Sequence, residues 1–551
     1  MAPRKISRLI FLIFTKKHGL HVQADATKYL ETLLEDDPNV QETLEKLIKL
    51  YRKRFAEESS PIITKTAMEQ VVTAMQMSAA AASTRTPFER SVTDSLDEGM
   101  QDMTLEEKVD VTEQFTVVNA FNMPRLHYDA HRKTFIQPTN TSDIFGNGND
   151  KSAVFLERYH LIKQRLLRNN ENFDPASMHI HGSGAFQKIT PIKGLIGHDN
   201  ERFLLFGMLT CMDDGKIYLE DDDGHIQLDL SNCIYGPGLY TETTFVIAEG
   251  LFGDDHIFHV EEINPPPAES RQLTESLFPH INFLGLPKQL LPEHVLKHEE
   301  VTNEEIQFVI LSDVHLDEPK VINALRLLFY GYSNTRIPLA FILIGNFTSR
   351  PFKLGGAEAA KYKQYFNTLA DLILEFPAIA THSYFVFVPG SRDPWGGNCL
   401  PQAAIPDLFT TRIRQRIRRA IFASNPCRIR YCTQDIVIYR DDILSRLWRN
   451  ALLPPKTEED PRGHLVRTIV DQGHLCPLPL YKRPIYLNYD QALRIYPLPH
   501  ALVLADQCHN FGYDYEGTHC MSPGSFPNSD FTWSVYYPAK KMSEKCNFTD
   551  V

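Results

Sequence analysis

Apolar strands alternate with amphipathic helices through residues 304–551, and this alternation constrains the fold more than any other feature. The stretches that read as buried strands are "EIQFVILSDVH", "PLAFILIGNF" and "SYFVFVPGSRDP", and those that read as helices are "VINALRLLFYGY" and "YFNTLADLILEF". This order predicts a sheet of parallel strands with helices packed against it. Each of these strands ends in a loop with Gly or Asp, and open α/β sheets place their ligands at that edge.

The composition is that of an ordinary soluble globular protein, with 43% hydrophobic and 23% charged residues in a chain of 551. A chain of this length is expected to form two to four domains. The net charge of −12 argues against wrapping nucleic acid with the whole surface, because phosphate neutralisation needs clustered Lys and Arg. The nine cysteines are scattered without a CxxC pair, which predicts free thiols in a reducing compartment. No run approaches the roughly 20 apolar residues of a membrane span, so we expect an intracellular protein.

Changes in periodicity and composition divide the chain into five predicted segments. Residues 1–75 carry helical apolar stripes and predict a small helical domain. Residues 76–112 are rich in Ala, Ser and Thr and acidic towards the end, which predicts a flexible linker. Residues 113–194 contain one strand-like and one helical stretch and read as a connecting segment packed on the body. Residues 195–267 predict a barrel, residues 268–551 an α/β domain, and the whole chain a multidomain α+β fold.

The barrel prediction rests on alternation of apolar and polar residues in "FLLFGMLTCMDDGKIYLEDDDGHIQLDL", which contains two Asp-Gly turn signals. The alternation places one set of side chains on a shared face: Ile217, Leu219, Ile226, Leu228 and Leu230. Five or so short antiparallel strands in about 70 residues are typical of the oligonucleotide/oligosaccharide-binding (OB) barrel. Such barrels bind single strands through aromatic and basic residues. The acidic stretches 213–214 and 221–223 favour a structural or protein-binding barrel, with a single-strand DNA-binding module as the alternative.

The strand ends of the α/β domain carry polar residues in a recognisable order: "SDVH" after the first strand, "IGNFTSR" after the second and "PGSRDP" after the third. The order resembles calcineurin-like phosphoesterases, whose motifs are Asp-x-His, Gly-Asp-x-x-Asp, Gly-Asn-His-Asp/Glu, a separate His and Gly-His-x-His. The last motif is reduced to "ADQC", residues 505–508. The other motif positions are Asp313, His315, Asn346, Ser349, Ser391, Arg392, Asp393 and His474.

Substitutions at these positions remove most of the chemistry that the resemblance implies. Two divalent ions roughly 3.5 to 4 Å apart need a bridging carboxylate, but that position holds Asn346, whose amide supplies no negative charge. Arg392 stands at the catalytic His position, where a guanidinium repels cations. We therefore predict an inactive phosphoesterase fold with no catalytic residue, metal or cofactor. The alternative is a metal-dependent phosphodiesterase or 3′–5′ nuclease that uses Asp313, His315, Asp393 and His474.

Longer stretches resemble the B-subunits of the eukaryotic replicative DNA polymerases, and among them the DNA polymerase epsilon branch: "GKIYLEDDDGHIQLDL", "NPCRIRYCTQDIVIYRDD", "QGHLCPLPLY" and "SPGSFPNSDFTWSVYYP". The resemblance implies an N-terminal helical domain similar to the lid of AAA+ ATPases, an OB-fold barrel and an inactive phosphoesterase α/β sandwich. It implies that the last two clasp the zinc-bearing C-terminal domain of the polymerase's catalytic subunit.

The same resemblance implies further partners and a location. The N-terminal domain would dock the polymerase onto the replicative helicase assembly during initiation of DNA replication. The small histone-fold subunits would be indirect partners, DNA contact would be indirect or weak, and no membrane is involved. We therefore expect a non-catalytic accessory subunit in the nucleus.

The stretch "TTRIRQRIRRAIFASNPCRIRYC" is rich in arginine and contains no acidic residue. A basic patch of this kind binds DNA phosphates or an acidic partner face. The alternating spacing would place the first four arginines on one side of a strand, whereas a helix would spread them around its axis. Because no aromatic ladder accompanies them, a protein contact or a solvated surface is favoured. The seven residues are Arg412, Arg414, Arg416, Arg418, Arg419, Arg428 and Arg430.

Overall fold

The computed structural model divides the chain into two compact units, residues 1–109 and 110–551. In the second unit the structure describes residues 112–137, 144–169, 188–212, 215–287, 291–395, 397–455 and 460–548. In the first unit it describes residues 14, 21–33, 44, 47, 48, 62, 63, 65 and 68. The predicted linker over 76–112 lies outside the described residues except at its last position.

The described part of the first unit combines a helix with a two-stranded sheet. Strand β1 (His21–Val22) pairs in parallel with β2 (Ile62–Ile63), and helix α1 (Ala24–Leu33) follows β1 almost directly. The helix was predicted, but the sheet was not, because strands of two residues leave no alternation to detect. Of the positions in the predicted apolar stripes that the structure describes, Tyr29 is half-buried and the others are buried: Ala26, Leu30, Leu44, Leu47, Ile48 and Met68.

The connecting segment supplies elements to both neighbouring domains. Strand β3 (Phe115–Asn119) joins a sheet of the last domain, and β4 (His127–Asp129) forms a hairpin with β5 (Thr134–Ile136). Helix α2 (Gly148–Asn169) contains the predicted helical stretch and packs on the barrel, where the ring of its Tyr159 stacks 5.2 Å from a barrel phenylalanine. The segment therefore holds the barrel and the last domain together.

Five strands close the barrel: β6 (Glu201–Cys211), β7 (Ile217–Glu220), β8 (His225–Asp229), β10 (Phe245–Phe252) and β11 (Phe258–Asn264), with a short β9 (Ile234–Tyr235) paired to β11. Strand β10 pairs with both β6 and β11, which completes the closure. The pair β8–β11 is parallel, so the prediction of antiparallel strands throughout was wrong at this seam. The predicted inward face is confirmed by buried Leu219, Ile226 and Leu228.

The last domain begins with α3 (Arg271–Leu277) and α4 (Glu293–Thr302) and continues as the predicted alternation. Its elements are β12 (Phe308–Ser312), α5 (Pro319–Asn334), β13 (Ala340–Ile344), α6 (Gly356–Leu374), α7 (Pro377–His382), β14 (Tyr384–Val388), α8 (Asp407–Arg416) and β15 (Ala420–Phe422). The four strands are parallel in the order β15-β14-β13-β12; β12, β13 and β14 were predicted, whereas β15 and the order of the strands were not. Helices α5, α6 and α8 share one hydrophobic core with these strands.

A second sheet follows and faces the first. Its elements are β16 (Cys427–Tyr431), β17 (Gln434–Arg440), α9 (Ile443–Arg449), α10 (Pro461–Gln472), β18 (Ala501–Ala505), β19 (Phe511–Tyr515) and β20 (Thr518–Ser522), and β21 (Trp533–Tyr537) with β22 (Met542–Cys546) returns to the first sheet beside β12. Strands β16 and β17 form a hairpin, with β3 at the edge of the sheet. Ring contacts join the two sheets, since the ring centroid of Phe308 lies 5.4 Å from that of Tyr431 and 5.6 Å from that of Phe115.

Side chains of α10 fix the barrel to this domain. Gln472 accepts the backbone N–H of Phe245 at 2.8 Å and donates to its carbonyl at 2.9 Å. Thr468 accepts the N–H of Leu239 at 2.8 Å, and His464 accepts the N–H of Gly238 at 3.0 Å. These bonds satisfy buried backbone groups of the barrel.

Two expectations from composition can be compared with the structure. All nine cysteines are free. Within the described parts of the chain, no helix has the length and apolar character needed to cross a bilayer.

Candidate functional site

The carboxyl ends of β12, β13 and β14 bring several motif residues together. Asp313 follows β12 with φ of 57°, and both the backbone N–H and the side-chain amide of Asn346 donate to its Oδ1 at 3.2 Å. The N–H of Arg392 donates to Asn346 Oδ1 at 2.9 Å. The loops approach so closely that a Cβ on Gly345 would lie 2.2 Å from Asp393 Oδ2, so only glycine fits there.

Arg440, at the end of β17 in the opposite sheet, lies against these strand ends. Its Nη2 donates to Asp313 Oδ1 at 2.8 Å, its Nε to the carbonyl of Gly345 at 2.9 Å and its Nη1 to Asp442 Oδ1 at 2.7 Å. The side chains of Arg440 and Asp313 are both 2% exposed. The guanidinium thus gives Asp313 the positive partner that metal ions supply in a two-metal site.

This ion pair determines the charge of both groups. Burial raises the pKa of Asp313, but the attraction of Arg440 and the hydrogen bonds to the carboxylate together outweigh it and hold that pKa below its usual range. Burial lowers the pKa of Arg440, whereas Asp313 and Asp442 together raise it by more, so the guanidinium stays charged. A divalent cation at Asp313 would therefore meet a fixed positive charge.

Asp393 is surrounded by hydrogen-bond donors of its own. Its carboxylate accepts the N–H of Phe347 at 2.8 Å, the N–H of Gly390 at 2.7 Å and the hydroxyl of Tyr362 at 3.0 Å. Burial raises the pKa of Asp393 to about 6, although these donors favour the charged form. Both carboxylate oxygens are engaged, so Asp393 fixes the two loops and leaves little capacity for a further ligand.

The remaining motif positions, Ser349, Ser391 and His315, do not contact a shared partner. Ser349 donates from its hydroxyl at 2.6 Å and from its N–H at 2.9 Å to the carboxylate of Asp317. Ser391 is exposed. His315 is buried with Nδ1 3.3 Å from Glu318, and its Nε2 has no hydrogen-bond partner among the described residues.

His474, the candidate for the separate His of the phosphoesterase motifs, belongs to a different cluster. Its Nε2 lies 3.2 Å from Asp490, and its Nδ1 accepts the N–H of Cys476 at 3.0 Å. Asp490 also pairs with Arg158 of α2. Burial lowers the pKa of His474 to about 4, so the ring is neutral. The structure uses His474 to join α2 to the last domain and does not assemble it with Asp313.

These donors do not fit a pair of divalent cations. No group of three or more His, Cys, Asp or Glu side chains in the described ranges is arranged to hold a metal ion. Of the motif carboxylates, Asp313 is bound by Arg440 and Asn346, and Asp393 is bound by three donors. We therefore derive no metal-dependent step from this site.

The seven predicted arginines do not form a single stripe. Helix α8 contains Arg412, Arg414 and Arg416, so they spread around its axis. Arg412 pairs with Asp371, and the guanidinium of Arg414 lies 4.4 Å from the ring of Phe422. The others differ in surroundings: Arg416 and Arg418 are exposed, Arg419 lies over Tyr384, and Arg428 and Arg430 are on β16.

The acidic turn of the barrel has a local structural role. Asp221 accepts the N–H groups of Ile192, Asp223 and Gly224, each at 2.8 Å. Lys193 pairs with Asp223 at 3.1 Å. The other acidic pair, residues 213–214, lies outside the described residues. The turn thus stabilises loops of the barrel itself. It offers no support for the alternative that the barrel binds single-stranded DNA.

Two family models match different parts of the chain. Residues 308–513 match the B-subunit family of DNA polymerases alpha and epsilon, and residues 148–267 match the family "DNA polymerase epsilon subunit 2-like, OB-fold domain". The barrel and the two-sheet domain therefore assign this chain to the class of DNA polymerase B-subunits.

Curated relatives match most or almost all of the chain. It is 37% identical to DNA polymerase epsilon subunit 2 of Homo sapiens over 556 aligned residues, covering 99% of each chain. It is 32% identical to DNA polymerase epsilon subunit 2 of Drosophila melanogaster, over 79% of this chain and 83% of the relative. The chain belongs to the DNA polymerase epsilon subunit 2 family. A solved archaeal phosphodiesterase overlaps 44% of this chain and 99% of its own at a TM-score of 0.25 and 10% identity, too low to support a conclusion.

Proposed function

We propose that this chain is a non-catalytic accessory subunit of the DNA polymerase epsilon complex and binds the C-terminal domain of the catalytic subunit. The buried ion pair between Asp313 and Arg440 carries the proposal, because it replaces metal ions with a guanidinium at the strand ends. A phosphoesterase-like domain without its cations keeps a rigid surface and loses the means to activate water. The names of the relatives support the assignment to this complex.

The barrel and the two-sheet domain act as one clasp on the catalytic subunit. The bonds of Gln472 and Thr468 to barrel backbone support this role, since they hold the two domains in fixed register. The N-terminal unit links the polymerase to the replicative helicase assembly in the nucleus. The histone-fold subunits are reached through the catalytic subunit, and DNA is contacted weakly or indirectly.

Co-expression with the zinc-bearing C-terminal domain of the catalytic subunit tests the proposal. The full chain is expected to co-purify with that domain in equal amounts. A chain of residues 110–551 is expected to do the same, because it retains the barrel and the two-sheet domain, but to lose association with the helicase assembly. Failure of the full chain to bind the folded, zinc-loaded domain would contradict the proposal, as would turnover of a phosphodiester by the full chain in excess Mn²⁺.

A further inference from the structure

A cavity of about 650 Å³ lies between the β16–β17 hairpin, helix α3 and the loop that follows α3. None of its lining residues is a motif position of the strand-end site. Four arginines line it: Arg271, Arg428, Arg430 and Arg494. Two of them, Arg428 and Arg430, belong to the basic stretch that the strand-end site leaves unexplained.

Three of these arginines are matched by carboxylates. Arg271 Nη2 lies 2.5 Å and Arg430 Nε 2.6 Å from the carboxylate of Asp435. Arg494 Nη2 lies 2.7 Å from Glu157. The single charge of Asp435 is thereby shared by two guanidiniums in direct contact.

Arg428 is the exception. It is 5% exposed, and its Nη2 donates only to the carbonyl of Arg494. Its Nε has no hydrogen-bond partner, and no described carboxylate forms a contact ion pair with its guanidinium, although the charge of Asp435 acts on it from a greater distance. Burial lowers the pKa of Arg428 to about 10, which leaves the side chain charged at neutral pH. A buried charge is costly unless an opposite charge or several hydrogen bonds compensate it.

The rest of the lining suits the body of an organic anion. Gln491 is 9% exposed, and its Nε2 donor has no partner among the described residues. Phe278, Phe283 and Tyr496 form an aromatic wall, in which the ring centroid of Tyr496 lies 6.4 Å from that of Phe278 and 6.2 Å from that of Phe283. The volume falls in the range of roughly 300 to 1,000 Å³ that is usual for small-molecule sites.

We propose that this cavity binds a small amphiphilic anion, a phosphate or carboxylate head on an aromatic body, with the guanidinium of Arg428 bound to the oxyanion. A guanidinium matches either head through parallel N–H donors. Gln491 donates a further hydrogen bond to the head, and the aromatic wall packs against the body. This site is independent of the proposed function, because none of its residues takes part in the ion pair of Asp313.

Titration of the full chain with phenyl phosphate, benzoate and inorganic phosphate, followed by ligand-observed NMR, tests the proposal. At least one aromatic anion is expected to bind with a stoichiometry of one and more tightly than inorganic phosphate. Arg428→Met is expected to weaken binding by about tenfold or more, and Gln491→Leu by about threefold. Arg336→Met removes an exposed arginine outside the cavity and is the matched control, with unchanged affinity.

A stability readout separates binding from a structural role of Arg428. Without ligand, Arg428→Met is expected to leave the thermal midpoint unchanged or raised, since it removes a buried charge that has no carboxylate in direct contact. With the anion, the midpoint is expected to rise for the wild type and not for Arg428→Met. Absence of binding by all three probes would overturn the proposal, and so would equal affinity of the wild type and Arg428→Met. If Arg428→Met fails to fold, unchanged affinity of Gln491→Leu overturns it. Equal affinity for inorganic phosphate would overturn the assigned aromatic body.

Discussion

Replacing Arg440 by methionine removes the cation that neutralises Asp313 in a site closed to water. We expect Arg440→Met to lower the free energy of unfolding by about 3–5 kcal/mol, the usual cost of breaking a buried ion pair. An upper limit for the orphaned charge follows from proton uptake, because Asp313 can protonate instead. The ordinary pKa of an aspartate is 3.8, and each pH unit above it costs about 1.4 kcal/mol, so protonation of Asp313 at pH 7 costs roughly 4 kcal/mol. The carbonyl of Gly345 also loses its donor, which adds about 1 kcal/mol.

Urea unfolding of the full chain at pH 7 measures this loss. The double variant Arg440→Met/Asp313→Asn is expected to recover most of it, because an amide carries no charge that needs a partner. The penalty of the single variant is expected to shrink towards pH 4, where Asp313 protonates at little cost. Arg336→Met, an exposed control, is expected to stay within about 0.5 kcal/mol of the wild type. A loss below about 1 kcal/mol in Arg440→Met, or a double variant as unstable as the single one, would refute the reasoning.

Two more predictions concern the junction with the barrel and a nearby carboxyl group. Gln472→Ala leaves the buried N–H and carbonyl of Phe245 unpaired and is expected to cost about 2–4 kcal/mol in urea unfolding; a loss under about 0.5 kcal/mol would show that water replaces the side chain. Burial raises the pKa of Asp471 to about 7 against 3.8 in the unfolded chain, so the folded state holds an extra proton and stability falls as pH rises between those values. From pH 5 to 8, Asp471→Asn is therefore expected to gain roughly 2–3 kcal/mol relative to the wild type; a constant difference across this range would contradict the raised pKa.

Local patterns predicted most of the elements because each depends on neighbours in the chain. The apolar runs of β12, β13 and β14, which are buried except at Tyr384, and the amphipathic periods of α5 and α6 are visible in short windows. The alternation that places Leu219 and Ile226 inside the barrel is equally local. The parallel β8–β11 seam was not predicted, since it depends on where two distant strands meet.

The candidate site was only half predictable. Asp313 and Asn346 could be identified from the sequence, because each motif directly follows a predicted strand and the motifs occur in the expected order. Arg440 was not predicted as a site residue, because it is 127 residues from Asp313 in the sequence and lies in the opposite sheet. A short sequence pattern does not show which residues of two sheets face each other. Its position at the end of the alternating "QDIVIYR" was the available signal, but an arginine there is equally compatible with an exposed strand end. His474 fitted a motif by order alone, whereas packing of α2 gave it Asp490 as partner.

Quantifying metal bound to the purified full chain after incubation with excess Mn²⁺ tests the central claim most directly, namely that Arg440 has replaced the cations at Asp313. The account predicts far less than one ion per chain and no hydrolysis of a phosphodiester. Two ions per chain, located beside Asn346 and Arg392 and accompanied by turnover that Asp313→Ala abolishes, would contradict it.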